Sequence, residues 1–448
     1  MRAVRKRLSG WGRFPVEEAW VYRPDSLEDV RELLPGGNLT LRGLGRSYGD
    51  ASLNKDGNVA DLTRLDRFLD FDGETGRLTC EGGVSLAEVL EVFVPRGWFL
   101  PVTPGTKFVT VAGAIASDVH GKNHHNASSL SRHVESMALL LASGETVLCS
   151  RESLPDLFWA TAGGMGLTGI IAQATFRLRR IETSFLHYKA VRARDLDHML
   201  ETLEQYDPHY DYSVAWIDGL AGGKDLGKGV VLLGSHAPLA ELPTQQRRSP
   251  LPVLARRRLS VSRPPPFSVV NRMTIRLLNT SYRFTHRPRE ALVGYDGFFY
   301  PLDGVGAWNR LYGSGGFLQH QSVFPLQASR ETLVRLLEMV VKSRHASSLV
   351  ILKKFGPQEG LLSFPMPGYT VAMDFPVYSA PFLALVSAMD ELVAQSGGRV
   401  YLAKDACLSR ERFQAMYPRW KEWLAAKERY DPRGAFTSSM ARRLGLAP

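Results

Sequence analysis

Hydrophobic and polar residues alternate over short stretches in roughly the first 180 residues, and helical patterns separate these stretches. Ser26 and Asp29 mark the start of a short helix at DVRELL, and Ser85 and Glu88 form a capping-box pattern before the helix LAEVLEVF. A further helix is predicted at PDLFWATA. The runs that favour strands are NLTLRG, NVADLT, RLTCEGGV, MALLLASGETVLC with its central turn, and IIAQATFRLRR. This mixture predicts an α+β fold.

The pattern changes after about Ile181, where the apolar runs become longer. YSVAWIDG, GFLQHQSVFPL, SSLVILKKFG and YTVAMDFPV are typical of strands, and we expect them to form one antiparallel sheet. ETLVRLLEMVVKS and PFLALVSAMDELVAQS carry apolar residues at helical spacing and would cover one face of that sheet. Because 448 residues exceed what one hydrophobic core usually supports, the change predicts a second domain.

A stretch near 240–280 combines proline and arginine with little periodicity, which predicts a mobile basic loop. A solvated loop is the simpler interpretation. The alternative is that its arginines help a greasy or phosphorylated substrate, or a membrane surface, to approach the site. These arginines are Arg247, Arg248, Arg256, Arg257 and Arg258.

The formal net charge of +10 favours anionic partners but does not indicate a fold. Cys80, Cys149 and Cys407 are widely spaced, which argues against a disulfide framework or a thiolate metal site and favours a reducing compartment. The basic N-terminus lacks the apolar core of a signal peptide, and no run is long enough to span a bilayer. We therefore expect a cytoplasmic protein, with peripheral contact at the inner membrane left open.

A glycine-rich stretch, LRGLGRSYGDASLN, follows a predicted strand. Its glycines would let backbone N–H groups approach an anion, while Arg46 and Ser47 could add charge and a donor to a pyrophosphate. GRSYG also matches the nucleophile elbow of a serine esterase, with Ser47 as nucleophile. An elbow requires a helix after the serine, and the turn-rich DASLNKDGN makes the esterase the remote alternative.

Two other motifs invite interpretations that their context weakens. Gly164, Gly166 and Gly169 fit the dinucleotide GxGxxG spacing, but a helix precedes them and a strand follows, which is the reverse of the NAD-binding order. The stretch 103–125 contains three histidines, but no carboxylate or cysteine lies at ligand spacing, so we expect no metal. Its small residues would instead let a flat ring system lie against the backbone.

A third candidate stands late in the chain, where Tyr401, Lys404 and Asp405 end a β-like run in YLAKD. A lysine in this position is ordinarily a solvated surface charge. If it faces a pocket instead, partial burial would lower its pKa and suit it to hydrogen-bond or deprotonate a hydroxyl group.

Taken in order, these motifs resemble one family. GRSYGDASLN, the PGT and HGKNHH segments, FWATAGGMGLTGII, FGPQEGLLSFPMPGY, YLAKD, MYPRWKEWL and DPRGAFTSSMARRL look like the decaprenylphosphoryl-ribose oxidase family. That family is the flavin half of a 2'-epimerase, within the vanillyl-alcohol-oxidase and aldonolactone-oxidase superfamily. The similarity runs from about Gly10 to the C-terminus and is weakest between about Ile181 and Tyr295.

The resemblance implies a two-domain PCMH-type FAD-binding fold with an antiparallel-sheet substrate domain covered by helices. Residues 1–182 and 399–448 would form the FAD domain around a substrate domain at 183–398. The implied catalytic residues are Lys404 and His120. The implied FAD contacts are Gly43, Leu44, Gly45, Arg46, Ser47, Tyr48, Pro104, Gly105, Thr106, Gly113, Ala116, His120, Gly121, Asn123, Gly169 and Tyr401, and the implied substrate contacts are Trp216, Gln319, Gln321, Lys353, Thr370, Ala372 and Lys404.

The resemblance also implies an activity, namely oxidation of the C2' hydroxyl of a polyprenylphosphoryl ribose-like sugar to a ketone by hydride transfer to flavin N5. FAD would be held without a covalent bond, and an NAD(P)H-dependent keto-reductase would complete the epimerisation. Thr370 and Ala372 stand where the mycobacterial type has Asn and Cys, which puts the exact sugar in doubt.

Two further functions are compared with this activity. One is an aldonolactone or free-sugar oxidase that uses oxygen. Nucleic-acid binding would rest on the Arg-rich stretch alone, which lacks interleaved aromatic residues, and is not expected.

Overall fold

Strands and short helices alternate through the first part of the computed structural model, which describes residues 1–253, 259–345, 347–377 and 379–447. β1, β2, β4 and β3 form one mixed sheet in that order, and β5, β6, β10, β8 and β9 form an antiparallel sheet. The strands are β1 (Val4–Ser9), β2 (Val16–Tyr22), β3 (Leu39–Arg42), β4 (Asn58–Asp61), β5 (Phe68–Asp72), β6 (Arg77–Glu81), β7 (Trp98–Phe99), β8 (Val134–Leu140), β9 (Thr146–Ser150), β10 (Ile170–Arg177) and β11 (Arg179–Arg180).

The later strands form one large antiparallel sheet, as predicted. Within the described residues its order is β16-β12-β14-β13-β19-β20-β18-β21, and β15 pairs with β17 outside it. These strands are β12 (Phe185–Ala193), β13 (Tyr212–Ile217), β14 (Gly229–His236), β15 (Leu259–Ser260), β16 (Arg289–Gly294), β17 (Val305–Gly306), β18 (Phe317–Pro325), β19 (Val350–Phe355), β20 (Gly368–Pro376) and β21 (Arg399–Val400).

The helices begin where the sequence supplies their caps. Ser26 and Ser85 cap the first two helices through capping boxes with Asp29 and Glu88, which confirms both predicted starts. The helices are α1 (Leu27–Leu33), α2 (Leu86–Phe93), α3 (Val111–Ala116), α4 (His124–Ala127), α5 (Pro155–Thr161), α6 (Leu196–Tyr206), α7 (Thr244–Arg247), α8 (Arg272–Thr285), α9 (Tyr295–Phe299), α10 (Leu326–Ser343), α11 (Ala380–Gln395), α12 (Arg410–Met416), α13 (Trp420–Tyr430) and α14 (Ser439–Leu444).

Helices α6, α10 and α11 cover one face of the large sheet. Leu336 and Val340 of α10 and Met389 and Val393 of α11 are almost fully buried in the core on that face. Because side chains alternate along a strand, every second residue of β18 to β20 points to the opposite face. That face is turned toward the first part of the chain. The helices and largely antiparallel sheets confirm the predicted α+β fold.

The C-terminal segment packs against the first part of the chain. The Leu39 N–H donates to the Ala435 carbonyl at 2.8 Å, and the Trp423 indole N–H donates to the Ala160 carbonyl at 2.8 Å. Lys427 is buried beside Asp431 and donates at 3.0 Å to the Leu167 carbonyl. The predicted domain boundaries at 182 and 399 stay a prediction.

The predicted loop near 240–280 is wrong at its end, because α8 begins at Arg272. Asn271 caps this helix and accepts hydrogen bonds from the Met273 and Thr274 N–H groups. This N-cap was not predicted because the proline-rich stretch before it has little periodicity. The arginines at 256–258 lie outside the described residues. No helix among the described residues is long and apolar enough to cross a bilayer.

Candidate active site

A large cavity lies between the glycine-rich segments of the first part of the chain and the uncovered face of the large sheet. Its space, counted out to the open mouth, is about 1860 Å³. Its described lining carries four cationic side chains and one carboxylate, which favours anionic ligands: Arg42, Arg46, Lys353, Lys404 and Asp303.

One wall of the cavity is the glycine-rich loop 43–48 that follows β3. Gly45 has a φ of +64°, a backbone conformation that glycine adopts without steric cost. The Tyr48 N–H donates to the Ala403 carbonyl at 2.8 Å, which ties the loop to the segment that carries Lys404. The Arg46 guanidinium lies 3.9 Å from the ring centroid of Trp11. The loop therefore has a fixed shape with backbone exposed to the cavity.

His120 is buried at the centre of the cavity wall. Its Nε2 accepts a hydrogen bond from the Gln321 amide at 2.9 Å, which places the ring proton on Nδ1. Nδ1 has no partner among the described residues. Burial, with Lys353 and His124 nearby, holds the pKa of His120 well below its usual range. His120 is therefore neutral, and Gln321 fixes its orientation.

Lys404 extends into the same cavity from the turn after β21. Its ammonium nitrogen lies 3.5 Å from the centroid of the Tyr48 ring. Burial lowers the pKa of Lys404 to about 7, an effect that Asp374 opposes and Lys353 strengthens. Lys353, on β19, is partly buried, and desolvation lowers its pKa to about 8. The cavity thus holds two lysines that lose their protons far more readily than solvated lysines.

Asp374 supplies the negative charge opposite these lysines. It is fully buried on β20, and Gln319 of the neighbouring strand donates a hydrogen bond to its carboxylate. Burial raises the pKa of Asp374 to about 6, while Gln319 and Lys404 act in the opposite direction. Tyr312 donates to the other carboxylate oxygen at 3.5 Å, a weak contact. Asp374 and Lys404 therefore control each other's protonation.

The turn that carries Lys404 is fixed by its neighbour Asp405. Arg443 of α14 lies 2.7 Å from Asp50 and 2.8 Å from Asp405, and both carboxylates are almost fully buried. The second oxygen of Asp405 accepts the backbone N–H groups of Cys407 and Leu408 at 2.8 Å. One arginine thus joins the glycine-rich loop region, the Lys404 turn and the last helix.

Comparison with known proteins identifies the family. The chain is 40% identical to the decaprenylphosphoryl-β-D-ribose oxidase of Mycolicibacterium smegmatis over 98% of both chains. The chain belongs to the decaprenylphosphoryl-β-D-ribose oxidase family. It is also 36% identical, over 81% of this chain and 100% of the relative, to a Streptomyces coelicolor protein described as uncharacterized, in the mprA 5' region. The L-gulono-1,4-lactone dehydrogenase of Mycobacterium tuberculosis is 24% identical over 97% of this chain and 98% of its own.

Two family models match parts of the chain. Residues 19–150 match the FAD binding domain, and residues 320–444 match D-arabinono-1,4-lactone oxidase. This chain is therefore an FAD-dependent oxidoreductase that acts on CH–OH groups. The predicted PCMH-type fold is confirmed. The resemblance that the motifs indicated is confirmed with it.

The residues of the cavity fit FAD. A pyrophosphate requires backbone donors and positive charge, and the loop 43–48 with Arg42 and Arg46 offers both. Gly105 faces open space, since a Cβ there would meet no atom within 4 Å. The unpartnered Nδ1 of His120 offers a buried donor to a second molecule. The cavity therefore offers FAD backbone donors and positive charge for its pyrophosphate, and a buried ring N–H for a further polar group.

Most of the predicted site residues lie together on the cavity lining. Their contacts with FAD or with substrate stay predictions. The residues on the lining are Gly43, Leu44, Gly45, Arg46, Ser47, Tyr48, Pro104, Gly105, Thr106, Gly113, Ala116, His120, Gly169, Gln319, Gln321, Lys353, Ala372, Tyr401 and Lys404.

Four predicted residues lie behind the lining. Asn123 donates to the Pro101 carbonyl at 2.8 Å, and a Cβ at Gly121 would lie 2.6 Å from the Asn123 amide oxygen. Trp216 packs against Tyr282, with the ring centroids 4.6 Å apart. Thr370 donates to the Ser322 carbonyl at 2.9 Å and lies 3.4 Å from the Gln321 amide nitrogen. Thr370 therefore acts on the cavity only through Gln321.

The structure weakens the esterase alternative. Residues 43–57, all of which are described, contain no helix, so Ser47 does not stand on a strand-turn-helix elbow. Among the described residues, no group of three or more His, Cys, Asp or Glu side chains is arranged to hold a metal ion.

Sequence reasoning missed Asp374 and Tyr312. Asp374 lies two residues after Ala372, and Gln319 and Gln321 pair directly with Asp374 and Ala372 across the strands. The two-residue period of the strand would have placed Asp374 on the cavity face, because Thr370, Ala372 and Asp374 alternate with buried apolar residues. Tyr312 lies in a short 3-10 helix and gave no periodic signal.

Proposed function

We propose that this chain oxidises the C2' hydroxyl of a polyprenylphosphoryl ribose to a ketone, as the first half of an epimerisation. The relative that is 40% identical is named as an oxidase of decaprenylphosphoryl-β-D-ribose. The observation that carries the proposal is the pair of partly buried lysines, Lys353 and Lys404, on the cavity lining, whose pKa values are both lowered by burial. A site for a neutral sugar alone needs a base but has no need of a second lysine such as Lys353.

A phosphorylated substrate would offset the charge of Lys353. Burying an ammonium group without a partner is costly, and the lowered pKa of Lys353 reflects that cost. A phosphate oxygen near its nitrogen would form a charge-assisted hydrogen bond and restore the protonated form. We propose that Lys353 binds the sugar phosphate, while Gln319 and Gln321 bind sugar hydroxyl groups.

Lys404 is the proposed base for the sugar hydroxyl. Because its pKa is lowered to about 7, a large share of its amine is neutral near pH 7 and can accept a proton. When bound, FAD supplies the acceptor for the hydride that leaves C2'. Tyr48 covers the amine, and Asp374 stabilises the ammonium group that forms. His120 stays neutral, with its ring held by Gln321.

The product and the lipid chain of such a substrate imply two partners. A ketone at C2' would be reduced from the other face by an NAD(P)H-dependent keto-reductase, which completes the inversion. A polyprenyl chain resides in a bilayer, so we propose that the enzyme works in the cytoplasm with peripheral contact at the inner membrane. We also propose that FAD is held without a covalent bond, as the resemblance of the HGKNHH segment implies.

A second candidate is an aldonolactone oxidase. The match of residues 320–444 to D-arabinono-1,4-lactone oxidase favours it. Lactones are neutral, however, and would leave Lys353 and Lys404 without an anion in the same cavity. We therefore place the lactone second.

Absorbance spectra test the proposed function. The purified enzyme should show a flavin spectrum that moves to the supernatant on acid precipitation. Anaerobic addition of a short-chain prenylphosphoryl ribose should bleach that spectrum, whereas the same sugar without phosphate and an aldonolactone should bleach it at least about tenfold more slowly, as expected for loss of a charge-assisted contact. Faster bleaching by the lactone would move the function to the second candidate. A flavin that stays in the precipitate would contradict the dissociable cofactor.

Removal of the Asp374 charge should shift the pH dependence of flavin reduction. Asp374 raises the pKa of Lys404, so Asp374→Asn should lower it. The rate requires the neutral amine and therefore rises with pH. Half of the maximal rate should thus be reached at lower pH in Asp374→Asn than in the wild type, measured by anaerobic stopped-flow absorbance.

Asp390→Asn is the matched control for this shift. Asp390 is an equally buried carboxylate, but it pairs with His320 on the helix-covered side of the sheet. Its substitution should leave the pH profile in place. An unshifted profile in an Asp374→Asn enzyme that still binds FAD would refute the coupling of Asp374 to Lys404.

A further inference from the structure

One side of helix α8 exposes large apolar side chains to solvent. The residues Ile275 and Asn279 point inward and are buried, and Asn279 donates to Asp218 at 2.5 Å. The opposite side follows the spacing i, i+4, i+11, which forms one stripe on a helix. The stripe consists of Met273, Leu277 and Phe284, which are 70%, 67% and 63% exposed. A helix on an ordinary solvated surface places polar residues there.

The segment before the helix also exposes large apolar side chains. Leu259 and Phe267 are 81% and 71% exposed. Together with α8, these residues form a contiguous part of the sequence with large apolar side chains that no described residue covers. We call residues 259–285 the apolar face. Exposed apolar patches of this kind mark interaction surfaces.

Arginines lie within the apolar face and on both sides of it in the sequence. From 242 to 289 the sequence has eleven arginines and no lysine, aspartate or glutamate, so the formal charge of this stretch is +11. The whole chain has a net charge of +10, and the remaining residues are therefore close to neutral. On α8 itself, Arg272, Arg276 and Arg283 lie along one edge of the apolar stripe at helical spacing.

The N-terminal end of the apolar face lies beside the cavity. Val261 donates its N–H to the Gly306 carbonyl at 2.9 Å, and Arg310 donates to the Val261 carbonyl at 2.8 Å. Leu302 and Trp308, on either side of Gly306, line the cavity. A surface that covered the apolar face would therefore lie next to the cavity opening.

We propose that the apolar face binds an anionic lipid bilayer and sets the cavity mouth against it. An amphipathic helix with an apolar stripe and an arginine edge lies in the plane of a membrane, with its apolar side chains among the lipids and its cations at the phosphates. A second copy of the chain is a poor occupant, because two stretches of charge +11 would repel each other. This inference rests on the proposed membrane contact and names its surface.

Vesicle flotation with the FAD-loaded enzyme tests this surface. Vesicles of phosphatidylcholine with phosphatidylglycerol should carry the wild type, and vesicles of phosphatidylcholine alone should carry less of it. Met273→Glu with Leu277→Glu should lower the bound fraction at least about tenfold, since both side chains would lose their place among the lipids. High salt should weaken binding of the wild type.

Leu148→Glu is the matched control, because Leu148 is 64% exposed on β9, far along the chain from the apolar face. It should bind vesicles as the wild type does. Equal binding by the double variant, or no binding by the wild type to anionic vesicles, would overturn the proposal. So would an apolar face that is covered by a second copy, which sedimentation equilibrium would reveal as a dimer that the double variant loses.

The same variants separate this inference from the proposed reaction. A short-chain prenylphosphoryl ribose in solution should reduce the flavin of Met273→Glu/Leu277→Glu as it reduces that of the wild type. If the wild type binds anionic vesicles but no phosphorylated ribose bleaches its flavin, the reaction is wrong and the membrane surface stands.

Discussion

Lys404→Met should reduce the rate of flavin reduction by about 10³-fold while FAD stays bound, because a positioned base contributes roughly 10²–10⁴-fold to such a step. Methionine keeps the length and apolar stem of lysine but cannot accept a proton. The wild-type rate should rise with pH around the lowered pKa of Lys404, about 7, and the variant should show a low rate without that rise. Anaerobic stopped-flow absorbance with a prenylphosphoryl ribose measures both quantities.

Lys354→Met is the control for the loss of a lysine. Lys354 follows Lys353 on β19, so its side chain points to the other face of the sheet, where it pairs with Glu204. Its substitution should leave the rate within about twofold of the wild type, because the pair lies on the face of the sheet that is turned away from the cavity. If Lys404→Met retains the flavin and reduces it at the wild-type rate, Lys404 is not the base.

The sequence predicted the elements of the fold where local signals were strong. The capping boxes at Ser26 and Ser85 mark helix starts by side-chain chemistry that needs no tertiary contact. The strands of the large sheet alternate or are continuously apolar, and two of the helices that cover it, α10 and α11, have apolar stripes that the sequence showed. The start of α8 was missed because the proline- and arginine-rich stretch before it has little periodicity, although Asn271 supplies an N-cap signal.

The candidate site was predicted mainly through glycine and histidine motifs, and these bring His120 and the loop 43–48 to one cavity. What the sequence could not provide is pairing across strands. The contact of Gln319 with Asp374 depends on the register between β18 and β20, which are about 50 residues apart in the chain. The lowered pKa of Lys404 likewise depends on burial and on Lys353, neither of which a motif records.

The contact of the last helix with the site could not be predicted from the sequence either. It depends on one side chain, Arg443, which pairs with two carboxylates far away in the chain. Arg443→Met should lower the free energy of unfolding by about 3–5 kcal/mol, since removal of one partner of a buried ion pair leaves uncompensated charge. Asp50 and Asp405 are 6% and 5% exposed and would both lose their cation. Urea unfolding of the FAD-loaded enzyme, followed by tryptophan fluorescence, measures the change.

Arg429→Met provides the comparison, because Arg429 makes an ion pair of similar length with Asp156 but is 69% exposed. Its loss should cost about 0–1 kcal/mol. Adding Asp50→Asn to Arg443→Met should recover part of the stability, because it removes one of the two unpaired carboxylates that repel each other. Equal stabilities of Arg443→Met and Arg429→Met would mean that water reaches Asp50 and Asp405 when the arginine is absent. The Lys404 turn would then be fixed by the backbone N–H groups of Cys407 and Leu408 alone.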